Sequence, residues 1–146
     1  MRALLTALAV LVLLAPDAVA DESVVIASAR HRGLVLAATT QSAPVALEPR
    51  LVAGAQWRVH VHDSGLLTIV HWELRGCLTA FAVDDVRVLE CIGTQSQSWI
   101  DQPRPGGSHV LGNVAHPGLC LTALMPFDPV EMTPCAPEDP DQAWRW

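Results

Sequence analysis

The sequence predicts an all-β domain of three similar, short-stranded lobes that share one core around a pseudo-threefold axis. Two observations carry this. Trp57, Trp99 and Trp144 recur at a period of roughly forty residues, the range in which repeat architectures are built. Each closes a unit that opens on a glycine and an apolar phrase: Gly33-Leu34-Val35-Leu36-Ala37-Ala38, Gly76-Cys77-Leu78-Thr79-Ala80 and Gly118-Leu119-Cys120-Leu121-Thr122-Ala123. Beyond residue 20, moreover, no stretch sustains a helical apolar period, and 11 prolines oppose long helices. Lobes of a few short strands cannot bury a face alone, so the three must pool their apolar faces.

The elements follow in chain order. Residues 1–20 read as a secretory signal peptide: Arg2, the apolar run Ala3–Ala15, then the small-x-small site Ala18-Val19-Ala20, with the mature chain expected to start at Asp21. A membrane span needs about 20 apolar residues, this run is shorter, and nothing comparable follows, so no span is expected. The repeat domain then occupies 21–146, in lobes of approximately 21–60, 61–102 and 103–146. Val45/Leu47, Val86/Val88 and Val130/Met132 alternate with the period of a half-buried strand. Asp63-Ser64-Gly65 and Pro105-Gly106-Gly107 read as turns.

An exported chain places its thiols in an oxidising compartment, where they pair. Cys77 and Cys91 are separated by 14 residues and Cys120 and Cys135 by 15, in matching repeats, which predicts the disulfides Cys77–Cys91 and Cys120–Cys135. In the chain-entropy account a loop of that size contributes about 3 kcal/mol. A zinc site would call for a Cys-x-x-Cys knuckle, which is absent from the sequence. The chain holds no lysine and has a net charge of −6, so nucleic acid is excluded as a partner by the weakness of the phosphate-binding term. Neither His-Glu-x-x-His, nor Gly-x-Ser-x-Gly, nor a glycine-rich phosphate loop occurs, and Asp84 and Asp85 are adjacent rather than set across a cleft; no enzyme activity, cofactor or metal is expected.

Gln97-Ser98-Trp99 and Gln142-Ala143-Trp144, each following a Cys-Leu phrase and a strand that ends in cysteine, resemble the Gln-x-Trp repeats of the ricin B-type lectin family. The resemblance covers the whole chain after residue 20 and implies a β-trefoil fold and binding of a glycan or glycoconjugate. It also implies that Trp57, Trp99 and Trp144 belong to the shared core and that Gln97 and Gln142 hold backbone where the chain turns. The first repeat departs from the pattern: Ala55 replaces the glutamine, Val35 replaces the first cysteine, and either Pro49 or Arg50 replaces the second. A narrower resemblance is to the targeting subunits of cytolethal distending toxins, exported trefoils with a degraded first repeat. It rests on that repeat and on the loosely similar phrase Asp84-Asp85-Val86-Arg87-Val88-Leu89-Glu90-Cys91, and it implies a protein partner within a secreted complex.

Galactose-binding members of the family carry an aspartate two residues after the first cysteine and an aromatic residue two before the second. Here the aspartate place holds Ala37, Thr79 and Thr122, and the aromatic place holds Leu89 and Thr133, with Leu47 or Glu48 in the first lobe. With the three repeat tryptophans committed to the core and no tyrosine, the available aromatics are Trp72, Trp146, Phe81 and Phe127. The second lobe combines an aromatic face, acceptors and a planar donor, so the expected ligand site is Thr79, Phe81, Asp84, Asp85 and Arg87, with Phe81 placed in the loop between the paired cysteines. Lobe three offers Phe127, Asp128 and Glu131 between Pro126 and Pro129, without a cation; lobe one is expected to be silent. His60 and His62 alternate with Val59 and Val61 and should share one strand face, as a polar stripe rather than a metal site.

Overall fold

The computed structural model describes residues 22–146, so the expected signal peptide, 1–20, and its expected cleavage point lie outside the described residues. Twelve strands, all paired antiparallel, fall into three sets of four among the described residues. The first set is β1 (Ala27–Ser28), β2 (Leu34–Ala37), β3 (Ala46–Pro49) and β4 (Trp57–Val61). The second is β5 (Leu66–His71), β6 (Cys77–Ala82), β7 (Asp85–Leu89) and β8 (Trp99–Pro103). The third is β9 (His109–Asn113), β10 (Leu119–Thr122), β11 (Glu131–Pro134) and β12 (Trp144–Arg145).

The outer strands of each set form a barrel. β4 pairs with β5, β5 with β8, β8 with β9, β9 with β12 and β12 with β1. Val24 closes the ring onto Trp57, with N–H···O distances of 2.7 and 2.8 Å in the two directions. The inner strands form three hairpins, β2–β3, β6–β7 and β10–β11, that cap one end. There the hairpins bond to one another: Val45 N–H donates to Val86 O at 2.8 Å, Val130 N–H to Val45 O at 2.9 Å, and Met132 N–H to Val83 O at 2.7 Å. The chain is a β-trefoil.

The core repeats threefold with the backbone. Leu36/Leu78/Leu121, Ala38/Ala80/Ala123, Val45/Val86/Val130, Leu47/Val88/Met132 and the three tryptophans are all buried in one cluster. An indole buries roughly 150–250 Å², which at ~25 cal/mol/Å² is at most about 4–6 kcal/mol for each ring. Burying its N–H would be costly without a partner, and each lobe supplies the same one. Trp57 Nε1 donates to Leu36 O at 2.8 Å, Trp99 Nε1 to Leu78 O at 3.0 Å and Trp144 Nε1 to Leu121 O at 3.0 Å. Histidines bond across the seams between lobes, His31 Nε2 to Ala123 O and His116 Nε2 to Ala80 O, both at 3.0 Å.

The start of the second unit differs from the glycine alignment read in the sequence. Gly33 and Gly118 open their hairpins at φ +81° and +78°, and each accepts the same bond, from Arg50 N–H and Cys135 N–H. The corresponding place in lobe two is Arg75, at φ +60°, not Gly76. Gly76 is needed for another reason: a Cβ there would lie 2.6 Å from Val88 Cγ1 and 2.8 Å from Leu89 O, where β7 crosses close to the chain. The same register makes Arg50, rather than Pro49, the residue in place of the second cysteine, and Glu48, opposite Val35, the one at the aromatic place.

Candidate functional site

In lobes two and three, the segment that follows the hairpin is held by the same clasp. Disulfides join Cys77 to Cys91 and Cys120 to Cys135, each with Cα atoms 5.0 Å apart. A short 3-10 turn, Gln95–Gln97 or Pro140–Gln142, then brings a buried glutamine back under the hairpin. Gln97 Oε1 accepts from Ile92 N–H at 2.9 Å and Gly93 N–H at 3.2 Å, while its Nε2 donates to Glu90 O at 2.7 Å and Thr79 Oγ1 at 3.1 Å. Gln142 repeats this with Ala136 N–H, Pro134 O, Thr122 Oγ1 and Thr133 Oγ1, at 2.8–3.2 Å. Thr79 and Thr122 pass the bond on, each donating to the carbonyl of the cysteine two residues before it.

Lobe one replaces the whole clasp with apolar packing. Val35 stands for the cysteine, Ala37 for the threonine and Ala55 for the glutamine, and these three form their own buried cluster with Val25, Ala27 and Val52 against it. Each exchange alone would strand a polar partner; all three together leave none. The loop is closed by backbone and imidazole instead: Ala38 N–H donates to Gly54 O at 3.1 Å, and His71 Nε2 to the same oxygen at 2.9 Å. Gly54 is required there, since a Cβ would lie 2.1 Å from Ala38 O.

The clasped segment of lobe two walls a cleft of about 400 Å³. It is lined by Thr79 and Phe81 of β6 and by Leu89 and Glu90 at the end of β7. The clasped segment completes the lining with Ile92, Thr94, Ser96 and Gln97. Two apolar groups face solvent strongly: Phe81 is 63% exposed and Ile92 67%. Thr94 Oγ1 and Ser96 Oγ bond to each other at 2.9 Å.

The expected site residues are only partly brought together. Thr79 and Phe81 line the cleft, but Thr79 is buried, its hydroxyl committed to Cys77 O and Gln97. Phe81 lies on strand β6 itself, rather than in a loop. Asp85 and Arg87 flank the ring from β7. Arg87 Nε donates to Asp85 Oδ1 at 2.6 Å, and its guanidinium carbon lies 5.7 Å from the Phe81 centroid. The hydrogen bond to Asp85 raises the Arg87 pKa, and the charge of Asp85 adds to it, so the side chain stays cationic. Asp84 is exposed in the turn before β7 and does not line the cleft. Glu90, Ile92 and Thr94 carry no assignment from the sequence, whereas Leu89 occupies the aromatic place and Ser96 is the polar residue beside the repeat glutamine.

Trp72 lies under Arg58, whose guanidinium carbon is 4.8 Å from the ring centroid, and Trp146 stacks on His109 at 3.9 Å between centroids. His109 Nδ1 bonds Asp101 at 2.8 Å. His60 and His62 are exposed, and His62 bonds Thr68 at 2.7 Å. Among the described residues no three His, Cys, Asp or Glu side chains gather as a metal site. Phe127 sits exposed in the β10–β11 turn at φ +67°.

No protein-family model matches the chain, and no curated protein matches it in sequence. Solved structures match in fold. The designed threefold-symmetric protein ThreeFoil superposes with a TM-score of 0.70 at 20% identity, over 83% of this chain and 94% of its own. The Haemophilus ducreyi cytolethal distending toxin gives 0.69 at 17% identity, over 91% and 86%. The Polyporus squamosus lectin, solved with the human-type influenza-binding epitope Neu5Acα2-6Galβ1-4GlcNAc, gives 0.70 at 17%, over 82% and 46%. A mosquitocidal holotoxin gives 0.76 at 14% identity, and there this chain spans only 17% of the larger protein.

Proposed function

We propose that the protein is an exported, non-catalytic module that binds a carbohydrate or glycoconjugate at the second-lobe cleft. The observation that carries this reading is the cleft itself: a solvent-facing Phe81 ring beside a wall fixed by both a disulfide and Gln97. A sugar lays its C–H face on an aromatic ring and its hydroxyls on a few fixed polar groups, here Glu90, Thr94 and Ser96. A wall held in place loses little entropy on binding. Thr79 serves as a positioning residue through Gln97, and the Asp85–Arg87 pair borders the ring. Asp84, at the turn, has no part in this version of the site. Lobe one, with its apolar substitute for the clasp, is silent.

Shallow sites of this kind bind weakly and gain strength by multivalency. The test is a glycan array with the purified protein, followed by direct titration to about 1 mM. A glycan that binds wild type, but not Phe81→Ala of unchanged melting temperature, supports the reading; binding to no glycan by either method removes it. A second reading, a docking subunit of a secreted complex, draws on the exposed Leu124, Met125 and Phe127 of lobe three. A dedicated partner should then co-purify from the secreting cell, and recovery of this chain alone counts against it.

A further inference from the structure

We infer that the second-lobe cleft selects an acyl-capped sugar, one whose hydroxyl or amine carries an acetyl-type group, over the same sugar bare. The inference rests on the carbohydrate reading above and concerns which sugar chemistry the cleft accepts.

The polar groups around the cleft are mostly consumed. Gln97 uses its amide oxygen on Ile92 and Gly93 N–H and its amide hydrogens on Glu90 O and Thr79 Oγ1. Thr79 gives its hydroxyl hydrogen to Cys77 O. Thr94 and Ser96 bond to each other, so between the two hydroxyls a single hydrogen is left to donate outward. The remaining polar group is the exposed Glu90 carboxylate, an acceptor. Three lining side chains are hydrocarbon: Phe81, Leu89 and Ile92.

A bare hexose presents several hydroxyls in this small space, and those that face Leu89 and Ile92 would lose water without gaining a partner. An acyl cap removes that mismatch. Its methyl group fits the Leu89–Ile92 side, its carbonyl accepts the one spare hydroxyl hydrogen, and an amide N–H, where the cap is on nitrogen, can donate to Glu90. Acidic sugars are disfavoured, because Glu90 stands at the rim and the cation beside Phe81, Arg87, is already paired with Asp85 at 2.6 Å.

The experiment titrates the purified protein with matched methyl glycosides: glucoside against N-acetylglucosaminide, galactoside against N-acetylgalactosaminide, and a mono-O-acetyl glucoside, with a sialoside as the acidic arm. The expected result is at least about tenfold tighter binding for the capped member of each pair, the size a methyl-scale difference gives in an apolar pocket. The O-acetyl arm separates the two sources of the cap: preference for both forms assigns selection to the methyl and carbonyl, preference for the N-acetyl form alone assigns it to Glu90. Ile92→Ser, at a position 67% exposed and therefore safe for folding, should bring the paired affinities together. Equal affinity within the pairs overturns acyl selection but leaves the carbohydrate reading standing; a preference shared by the N- and O-acetyl forms that Ile92→Ser does not reduce overturns its assignment to this cleft and likewise leaves that reading standing. Binding to none of the sugars removes both.

Discussion

Gln142→Ala should destabilise the protein by about 3 kcal/mol. The side chain is fully buried and makes one accepted and two donated hydrogen bonds' worth of contacts: Ala136 N–H at 2.8 Å on its oxygen, and Thr133 Oγ1, Pro134 O and Thr122 Oγ1 at 2.9, 2.9 and 3.2 Å sharing its two amide hydrogens. At about 1 kcal/mol net for each bond the loss is roughly 3 kcal/mol. The stranded groups add little, because Pro134 and Ala136 belong to exposed residues that water can reach, and Thr122 and Thr133 keep their own bond at 2.6 Å. For a domain of this size the change corresponds to a fall of roughly 10 °C in melting temperature. Urea unfolding with the disulfides intact, followed by tryptophan fluorescence, measures it. Lobe one supplies a second check, since Ala37 and Ala55 occupy the corresponding places together in one buried apolar cluster. Thr122→Ala made on the Gln142→Ala background should therefore cost less than Thr122→Ala alone, with a coupling of about 1 kcal/mol. A cost below about 1 kcal/mol for Gln142→Ala, or strict additivity in the double mutant, would show that the glutamine does not hold the loop.

The converse exchange in lobe one, Ala55→Gln, buries an amide beside Val35, Ala37 and Val52 and should cost about 2–4 kcal/mol by the same urea assay; a neutral effect would contradict the apolar clasp. Cys91 is exposed whereas Cys135 is half-buried, so mild thiol treatment of the folded protein should open Cys77–Cys91 first; differential alkylation and peptide mapping would report it, and equal rates at the two bridges would be the wrong outcome. Arg75→Gly relieves a left-handed backbone and should stabilise by about 0.5–1 kcal/mol, whereas Gly76→Ala should destabilise by more than 1 kcal/mol; in thermal melts, a destabilising Arg75→Gly would contradict the strain at Arg75, and a neutral Gly76→Ala would contradict the close approach of Val88 and Leu89.

The candidate site was legible in part. Phe81 stood out as an available aromatic, and Gln97 as a residue that ties backbone, because their types and repeat positions carry that meaning in one dimension. Asp84 and Asp85 looked equivalent, yet the bulge between Ala80 and Ala82 and the turn at 83–84 send Asp84 to solvent while Asp85 meets Arg87. Glu90, Ile92 and Thr94 gave no chemical signal as residues, since an isoleucine becomes part of a binding surface only when its neighbours leave it at the edge of a cleft.

By itself the sequence determined three lobes on one shared core, the matching buried tryptophans and the partnering of four cysteines in like repeats, while the trefoil was what the Gln-x-Trp resemblance implied. Repeated spacing of apolar residues dictates which side chains can share a core, and that information survives in a linear string. Tertiary structure alone decided the register of the second unit, where Arg75 rather than Gly76 matches Gly33 and Gly118, and the identity of Arg50 as the lost cysteine's place. It also decided that Val35, Ala37 and Ala55 are one apolar substitute for a polar clasp rather than three separate losses. The physical reason is the same in each case: hydrogen-bond satisfaction and close packing are properties of sets of atoms that meet across strands, and a set whose members lie up to twenty residues apart in the chain is defined only when the strands are paired.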